Sequence, residues 1–397
     1  MYIGKLSFAT RFPICENNGM KLEGQFEKAA LKALREQLPV RDLPGVRIRA
    51  VKAQPEDAFD VQFELESGKS RVLVRGEIKA VVSLKLLEEI AHWIRRMKTL
   101  RPGVSFALVC SALSPRSQTY CIEQGIDFID MAGNISVSVP GTFTLQRVGR
   151  RGEERSQASS PILTNVFSGR SSRVLRVLLE KPKPWKLTEI ANELKAETSR
   201  VAQELITPQI RFAISLGAIS KALSSLDEQL WVRRQGSSVV VPEPRRLLLE
   251  WAEKYKERYR WRLRSSFETS NPFGSTLTEI NSGLEPLLRA PYAFTAAAAA
   301  ADAPFIDVDR VDVFLLSKQN DAKLRQLGNR PTPERVPRLR FIYPYDEGVF
   351  LYARNDGSLP RVSNIQTYLD LYARGGRDLK QADYLLEKAI ARRWKAM

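Results

Sequence analysis

Asp60 stands in one alternating apolar segment and Glu77-Ile78-Lys79 in the next. Glu77 and Lys79, two apart on an extended chain, project to the same face. Two carboxylates so placed hold a divalent magnesium or manganese ion, and the lysine helps activate water. That is the chemistry of metal-dependent phosphodiester hydrolysis. An acid-x-lysine pair in a strand is also common by chance, and its other reading is a structural remnant. Gly274-Ser275 with Asp307-Val308-Asp309 is a second arrangement of this kind. It offers a turn to cradle phosphate and paired carboxylates for magnesium. Nucleotidyl transfer wants a short helix linking the two halves, whereas an alanine run separates them here. His92 is the only histidine, which excludes zinc fingers, histidine-based triads and multi-histidine metal sites.

A different chemistry is spelled by Ser215, Ser220, Lys221, Ser224 and Ser225, which lie opposite an apolar stripe at 216, 219, 222, 223 and 226. Serine and lysine bond to phosphates and base edges. Arg233 and Arg234 flank a turn at Gly236, and Arg170 and Arg173 begin an earlier helix. All four suit contact with the sugar-phosphate backbone. The whole chain supports a polyanion partner, with 62 basic against 45 acidic residues and a formal net charge of +17. Double-stranded DNA is the simplest such partner. A fold of this type used only for protein contacts is the alternative.

These residues sit in a recognisable order of elements. Ser171-Ser172 open a helical run that stops at Lys181-Pro182-Lys183-Pro184, because proline cannot continue a helix. Thr188 is placed to cap a second helix, and the serine-rich segment is a third. Leu230 to Val241 is a hairpin pattern closed by Pro242 and Pro244. Helix, helix, helix, hairpin is the winged helix-turn-helix order, with one helix in the major groove and a wing on the backbone. Residues 196–214 read as a helical insertion within it.

The fold class expected is α/β and α+β multidomain. Residues 1–150 alternate as helix, three strands, helix, buried strand, helix and strand, a restriction-endonuclease-like α/β pattern. Residues 151–168 form a polar linker, 169–246 the winged helix-turn-helix and 247–270 a connecting helix with Trp251, Tyr255, Tyr259 and Trp261. The basic residues of that helix either extend a phosphate-binding surface or form a solvated face. Residues 271–397 form an α+β regulatory or partner domain. It is expected to carry a tightly packed alanine helix and a closing helix from about Leu379 to Trp394. No apolar run of about 18 residues is present, so no membrane span is expected. Cys15, Cys110 and Cys121 show no paired spacing, and the first residues lack a signal-peptide pattern, so a cytoplasmic protein with reduced thiols is expected. A homodimer would suit paired half-sites, though no heptad pattern indicates one.

Four segments resemble the AbiEi-family antitoxins of type IV toxin–antitoxin systems. Gly125-Ile126-Asp127-Phe128-Ile129-Asp130-Met131-Ala132-Gly133-Asn134 is similar to that family's G-I-x-Y-x-D-x-x-G-N turn. Ser215 to Lys221 resembles its S-L-G-T-V-S-K helix, and Tyr292 to Ala299 its Y-A-L-T-G-x-x-A-A segment. Gln366-Thr367-Tyr368-Leu369-Asp370-Leu371, with Gly376-Arg377 and Ala382, resembles its ending. The resemblance implies a PD-(D/E)xK nuclease-like N-terminal domain that need not cut. It further implies a repressor that binds operator repeats upstream of its own operon, and a nucleotidyltransferase-like toxin as partner. No cofactor is expected, magnesium or manganese entering only with the nuclease alternative. Ala296 stands where the family pattern has glycine.

Overall fold

The computed structural model describes residues 19–53, 59–101, 103–149, 165–205, 210–262, 266–288, 291–300, 309–356 and 359–395. The chain is a mixed α/β multidomain protein. Its residues fall into two units, Met1–Ile162 with Asp227–Arg233, and Leu163–Leu226 with Arg234–Met397. Cys15 and the linker at 151–164 lie outside the described residues.

In the first unit α1 (Gly19–Arg35) precedes a seven-stranded sheet. Its strands lie side by side in chain order: β1 (Val46–Ala53), β2 (Val61–Ser67), β3 (Ser70–Lys79), β4 (Val104–Cys110), β5 (Asp127–Asp130), β6 (Ile135–Val139) and β7 (Phe143–Arg147). α2 (Leu84–Leu100) joins β3 to β4, and α3 (Pro115–Glu123) joins β4 to β5. These two joints are the parallel ones, because a helical crossover returns the chain in the same direction. The hairpin joints are antiparallel.

The apolar run of β4 is explained by cover on both faces. Ala107 and Val109 pack with Ala30 and Leu34 of α1, while Phe106, Leu108 and Cys110 pack with Leu87, Ile90 and Ile94 of α2. Ser83 caps α2 by accepting the Leu86 N–H, and Ser114 caps α3 by accepting the Ser117 N–H. Gly76 is needed where β2, β3 and β4 meet, since a Cβ there would lie 2.9 Å from Val61 Cγ1 and 3.0 Å from Val109 Cγ2. Cys110 and Cys121 are free and buried, and burial pushes the Cys121 thiol up to about 12. Both are therefore inert packing residues.

The second unit begins with α4 (Ser172–Glu180), the short strand β8 (Trp185–Lys186) and α5 (Leu187–Glu204). α6 (Leu216–Glu228) follows, then the hairpin of β9 (Arg233–Gln235) and β10 (Ser238–Val240). The three short strands form one sheet in the order β8-β10-β9. α5 starts earlier than expected. Thr188 lies within its first turn, and the Lys186 backbone N–H donates to the Glu189 carboxylate at 2.9 Å. The segment expected to be an insertion is partly the continuation of α5 to Glu204. Beyond it, Ile210 and Phe212 are buried, and the Phe212 N–H donates to Thr198 Oγ1 at 3.1 Å.

α7 (Pro244–Arg262) leads to a six-stranded sheet built from β11 (Ser266–Thr269), β12 (Tyr292–Thr295), β13 (Arg310–Leu315), β14 (Arg338–Ile342), β15 (Arg354–Asp356) and β16 (Leu359–Arg361). Its order is β11-β14-β13-β12-β16-β15. The helices α8 (Leu277–Leu284), α9 (Ala296–Ala299), α10 (Asp321–Arg325), α11 (Asn364–Arg374) and α12 (Arg377–Leu385) complete it. The alanine helix is one turn long and wholly buried. The closing helix begins at Arg377 and carries a π turn at Leu386–Ile390. Among the described residues no helix is long and apolar enough to cross a membrane.

Candidate nucleic-acid interface

α6 presents one polar face because its apolar residues repeat at helical spacing. Ile219, Ala222, Leu223 and Leu226 are buried, whereas Leu216, Gly217, Ser220 and Lys221 are exposed. Ser215 is exposed too, but its hydroxyl is engaged: Oγ accepts the Ala218 N–H at 3.2 Å and caps the helix. Ser224 is half-buried, and Ser225 faces inward at 2% exposure. Ser225 is thus corrected from a reading residue to a core residue. It follows the buried Ala222 by three positions, and its type alone does not sort it, because serine is small enough for either side. Leu216, expected in the buried stripe, is 51% exposed at the first turn of α6.

The arginines divide in the same way. Arg170 is exposed, in the turn that precedes α4. Arg173 is buried and grips Asp346 twice, Nε to Oδ1 at 2.8 Å and Nη2 to Oδ2 at 2.7 Å. Its third nitrogen donates to the Arg211 carbonyl at 2.8 Å. No phosphate can reach it, so Arg173 is corrected from a DNA contact to a residue that serves the fold. Burial pushes the Asp346 carboxyl upward, but the hydrogen bonds and charge of Arg173 outweigh this and hold it below the usual carboxylate range. Arg233 is half-buried and paired with Glu88, which competes with any phosphate for its guanidinium. Arg234 is exposed, as are Gln235, Gly236 and Ser237 at the hairpin tip. Gly236 has φ of 60°, the left-handed conformation that a two-residue turn demands. In α7, Trp251, Tyr255 and Tyr259 are buried, while Lys256 and Arg258 are exposed.

The acid-x-lysine residues come together at one end of the first sheet. Asp60 precedes β2, whose Val61 pairs with Gly76, and its Oδ2 accepts the Ile78 N–H at 2.7 Å. Glu77 and Lys79 pair with each other at 2.7 Å. Each carboxylate thus has a partner in the fold. Among the described residues no three His, Cys, Asp or Glu side chains are grouped to hold a metal ion. Farther along, Gly274-Ser275 precede Thr276, which shares a capping box with Glu279 at the start of α8. Asp307 and Val308 lie outside the described residues, and Asp309 is exposed.

Two buried polar clusters fall on the 125–134, 292–299 and 366–371 segments. In the first unit Asp130 accepts the Leu113 N–H at 3.0 Å, the Asn134 N–H at 2.8 Å and the Asn134 amide at 2.9 Å. It thereby closes the β5–β6 turn, in which Gly133 has φ of 88°. In the second unit Asp370 of α11 accepts from Thr295 at 2.5 Å and from Gln366 at 2.7 Å, and also bonds Tyr255 of α7. Gln366 in turn accepts from Arg176 of α4 at 2.6 Å. Thr295, Gln366 and Asp370 stand in the 292–299 and 366–371 segments, but nothing local in the sequence shows that they meet.

No protein-family model, curated protein or solved structure matches the chain.

Proposed function

We propose that the chain is a DNA-binding transcriptional regulator resembling AbiEi antitoxins, in which residues 169–246 act as a winged helix-turn-helix and repress the chain's own operon. The observation that carries this reading is the exposed stripe of α6, with Leu216, Ser220 and Lys221 on one face and the Arg234-bearing hairpin after it. Hydroxyl and ammonium groups suit phosphates and base edges, and Leu216 suits the methyl group of thymine. The sheet order β8-β10-β9 supports the wing, since the hairpin adds to the strand that precedes the second helix. Two features support the family reading. Thr295, Gln366 and Asp370, from segments far apart in sequence, share one buried network. Ala296, standing at the family's glycine, has φ of 50°, a conformation that favours glycine. The first unit, with three antiparallel strands followed by two helical crossovers, is read as a nuclease-like fold retained without cutting. A cytoplasmic location and a nucleotidyltransferase-like toxin as partner belong to the same proposal.

Footprinting on the DNA upstream of the chain's own start codon tests it. Protection of a repeated site is expected, with affinity falling steeply as salt rises. Lys221→Ala and Arg234→Ala should each weaken binding and lower the salt slope by about 1. Binding indistinguishable from wild type in both variants would refute the interface.

The convergence of Asp60, Glu77 and Lys79 favours a second reading, a metal-dependent DNA nuclease. Asp60 and Glu77 would hold magnesium or manganese, which supplies charge neutralisation and an activated water. Their existing bonds to Ile78 and Lys79 make the fit a poor one. Plasmid cleavage that needs magnesium or manganese and vanishes in Glu77→Ala would establish the nuclease in place of the regulator.

A further inference from the structure

β1 is the outer strand of the first sheet, and among the described residues no strand lies beyond it. An outer strand points alternate N–H and C=O groups away from the sheet, and these pair readily with another extended chain. In β1 three of those groups are engaged. The Val46 N–H donates to the Leu43 carbonyl at 3.2 Å. Ile48 is held at both its groups by one side chain. Its N–H donates to Gln37 Oε1 at 2.7 Å, and Gln37 Nε2 donates to its carbonyl at 2.5 Å. A residue of a neighbouring antiparallel strand makes the same exchange of two bonds. Beyond Ile48 the strand is irregular, with Ala50 at φ of 51° and a register shift between Arg49 and Lys52. A bulge of that kind interrupts regular pairing along an edge.

Gln37 reaches Ile48 from a strained position. It follows the end of α1 with φ of 61° and ψ of 16°. Helices are commonly finished in this conformation by glycine and sometimes by asparagine, because a side chain strains the left-handed backbone. Glycine has no amide to offer, and the asparagine side chain is one methylene shorter. Glutamine keeps the strain and gains the reach to β1. The turn that carries it is fixed from several sides. The Gln37 N–H donates to the Leu34 carbonyl at 3.2 Å, and its own carbonyl accepts the Val40 N–H at 3.1 Å. Pro39 and Val40 are buried, and Arg147 Nη2 donates to the Pro39 carbonyl at 2.7 Å. The amide is therefore presented to Ile48 in a set position, as a strand residue would be.

We propose that Gln37 guards the open edge of the first sheet: its amide holds the place of a further strand and keeps β1 from pairing with β1 of a second copy of the chain. Two such edges meeting about a two-fold axis would form an antiparallel pair, each copy offering the same groups to the other. The guard belongs to the same chain as the edge, so it outcompetes a second copy at ordinary protein concentration.

Gln37→Gly and Gln37→Asn test this in the full chain. Both residues accept the left-handed turn, and neither can make the two bonds to Ile48. Both variants should keep wild-type circular dichroism; if one fails to fold, the other carries the test alone. At micromolar concentration, hydrogen exchange at the Ile48 amide should be about tenfold or more faster than in wild type, the loss expected for one hydrogen bond. As concentration rises to millimolar, the variants should sediment as a larger species while wild type does not change, and protection of Ile48 should return with the association. The proposal is overturned if Ile48 exchange is unchanged in the folded variants. It is equally overturned if they associate no more than wild type, or if they associate and leave Ile48 unprotected. Neither substitution touches the residues proposed to meet DNA, so this outcome is independent of that reading.

Discussion

Replacing Asp346 by alanine tests how the second unit holds the approach to α6. The Arg173 side chain is 5% exposed and that of Asp346 14%, so the pair is largely out of water. Removing one member leaves the other charge buried and uncompensated, which costs about 3–5 kcal/mol. Asp346 Oδ1 also accepts the Gly348 N–H at 2.8 Å, so the upper part of that range is expected. The measurement is urea unfolding of wild type, Asp346→Ala and the double variant Arg173→Met/Asp346→Leu. Apolar residues of similar volume remove both desolvation penalties, so the double variant should recover most of the loss. A loss below about 1 kcal/mol, or a double variant as unstable as the single one, would refute the reasoning. The pair also fixes a pH dependence. The folded carboxyl titrates below the unfolded value of about 3.9. Its contribution is therefore complete at neutral pH and is lost as pH falls from about 4 through the lower folded value. In Asp346→Ala that part of the acid dependence should disappear.

Gly76→Ala forces a methyl group against Val61 and Val109, and overpacking of this kind should cost about 1–3 kcal/mol in thermal or urea unfolding. An unchanged midpoint would mean that the three strands can part at that point. Ser215→Ala removes the cap of α6 and should cost about 1 kcal/mol of stability. Its DNA affinity should fall with no change in salt slope, in contrast to Lys221→Ala; a reduced slope would place Ser215 on a phosphate.

Much of the first unit is legible in the sequence because its periods are unambiguous. Leu84–Leu100 is amphipathic behind a serine cap, and Val104–Cys110 is apolar without interruption. β6 and β7 are harder to read, since Ile135–Val139 and Phe143–Arg147 are short and follow a turn whose geometry depends on Asp130. The three helices and hairpin around α6 are legible for the same reason as α2. The individual residues on them are less so. Arg170 and Arg173 are the same type, three apart, on one turn and the helix after it. Only the position of Asp346, 173 residues beyond Arg173, decides that one is solvated and the other buried. No local pattern carries that information. The same holds for Arg233, whose partner Glu88 lies on α2.

Net charge therefore overstates the basic surface that any polyanion could meet, because buried arginines count toward +17 while serving the fold. Arg173, Arg176 and Arg340 are each within 5% of full burial and are matched by Asp346, Gln366 and Asp312. Their placement has a mechanical consequence for the proposed regulator. Arg211, just ahead of α6, has its carbonyl held by Arg173 and its N–H donated to Glu347 at 3.2 Å. Both grips depend on the turn at 346–347, which follows β14 of the C-terminal sheet. A ligand or partner that displaced this turn would release the entry to α6, and a helix free to tilt loses the register that base contacts require. A charge pair and a carboxylate thus tie the turn after β14 to the segment that enters α6, and their removal tests whether the proposed regulator is coupled through it.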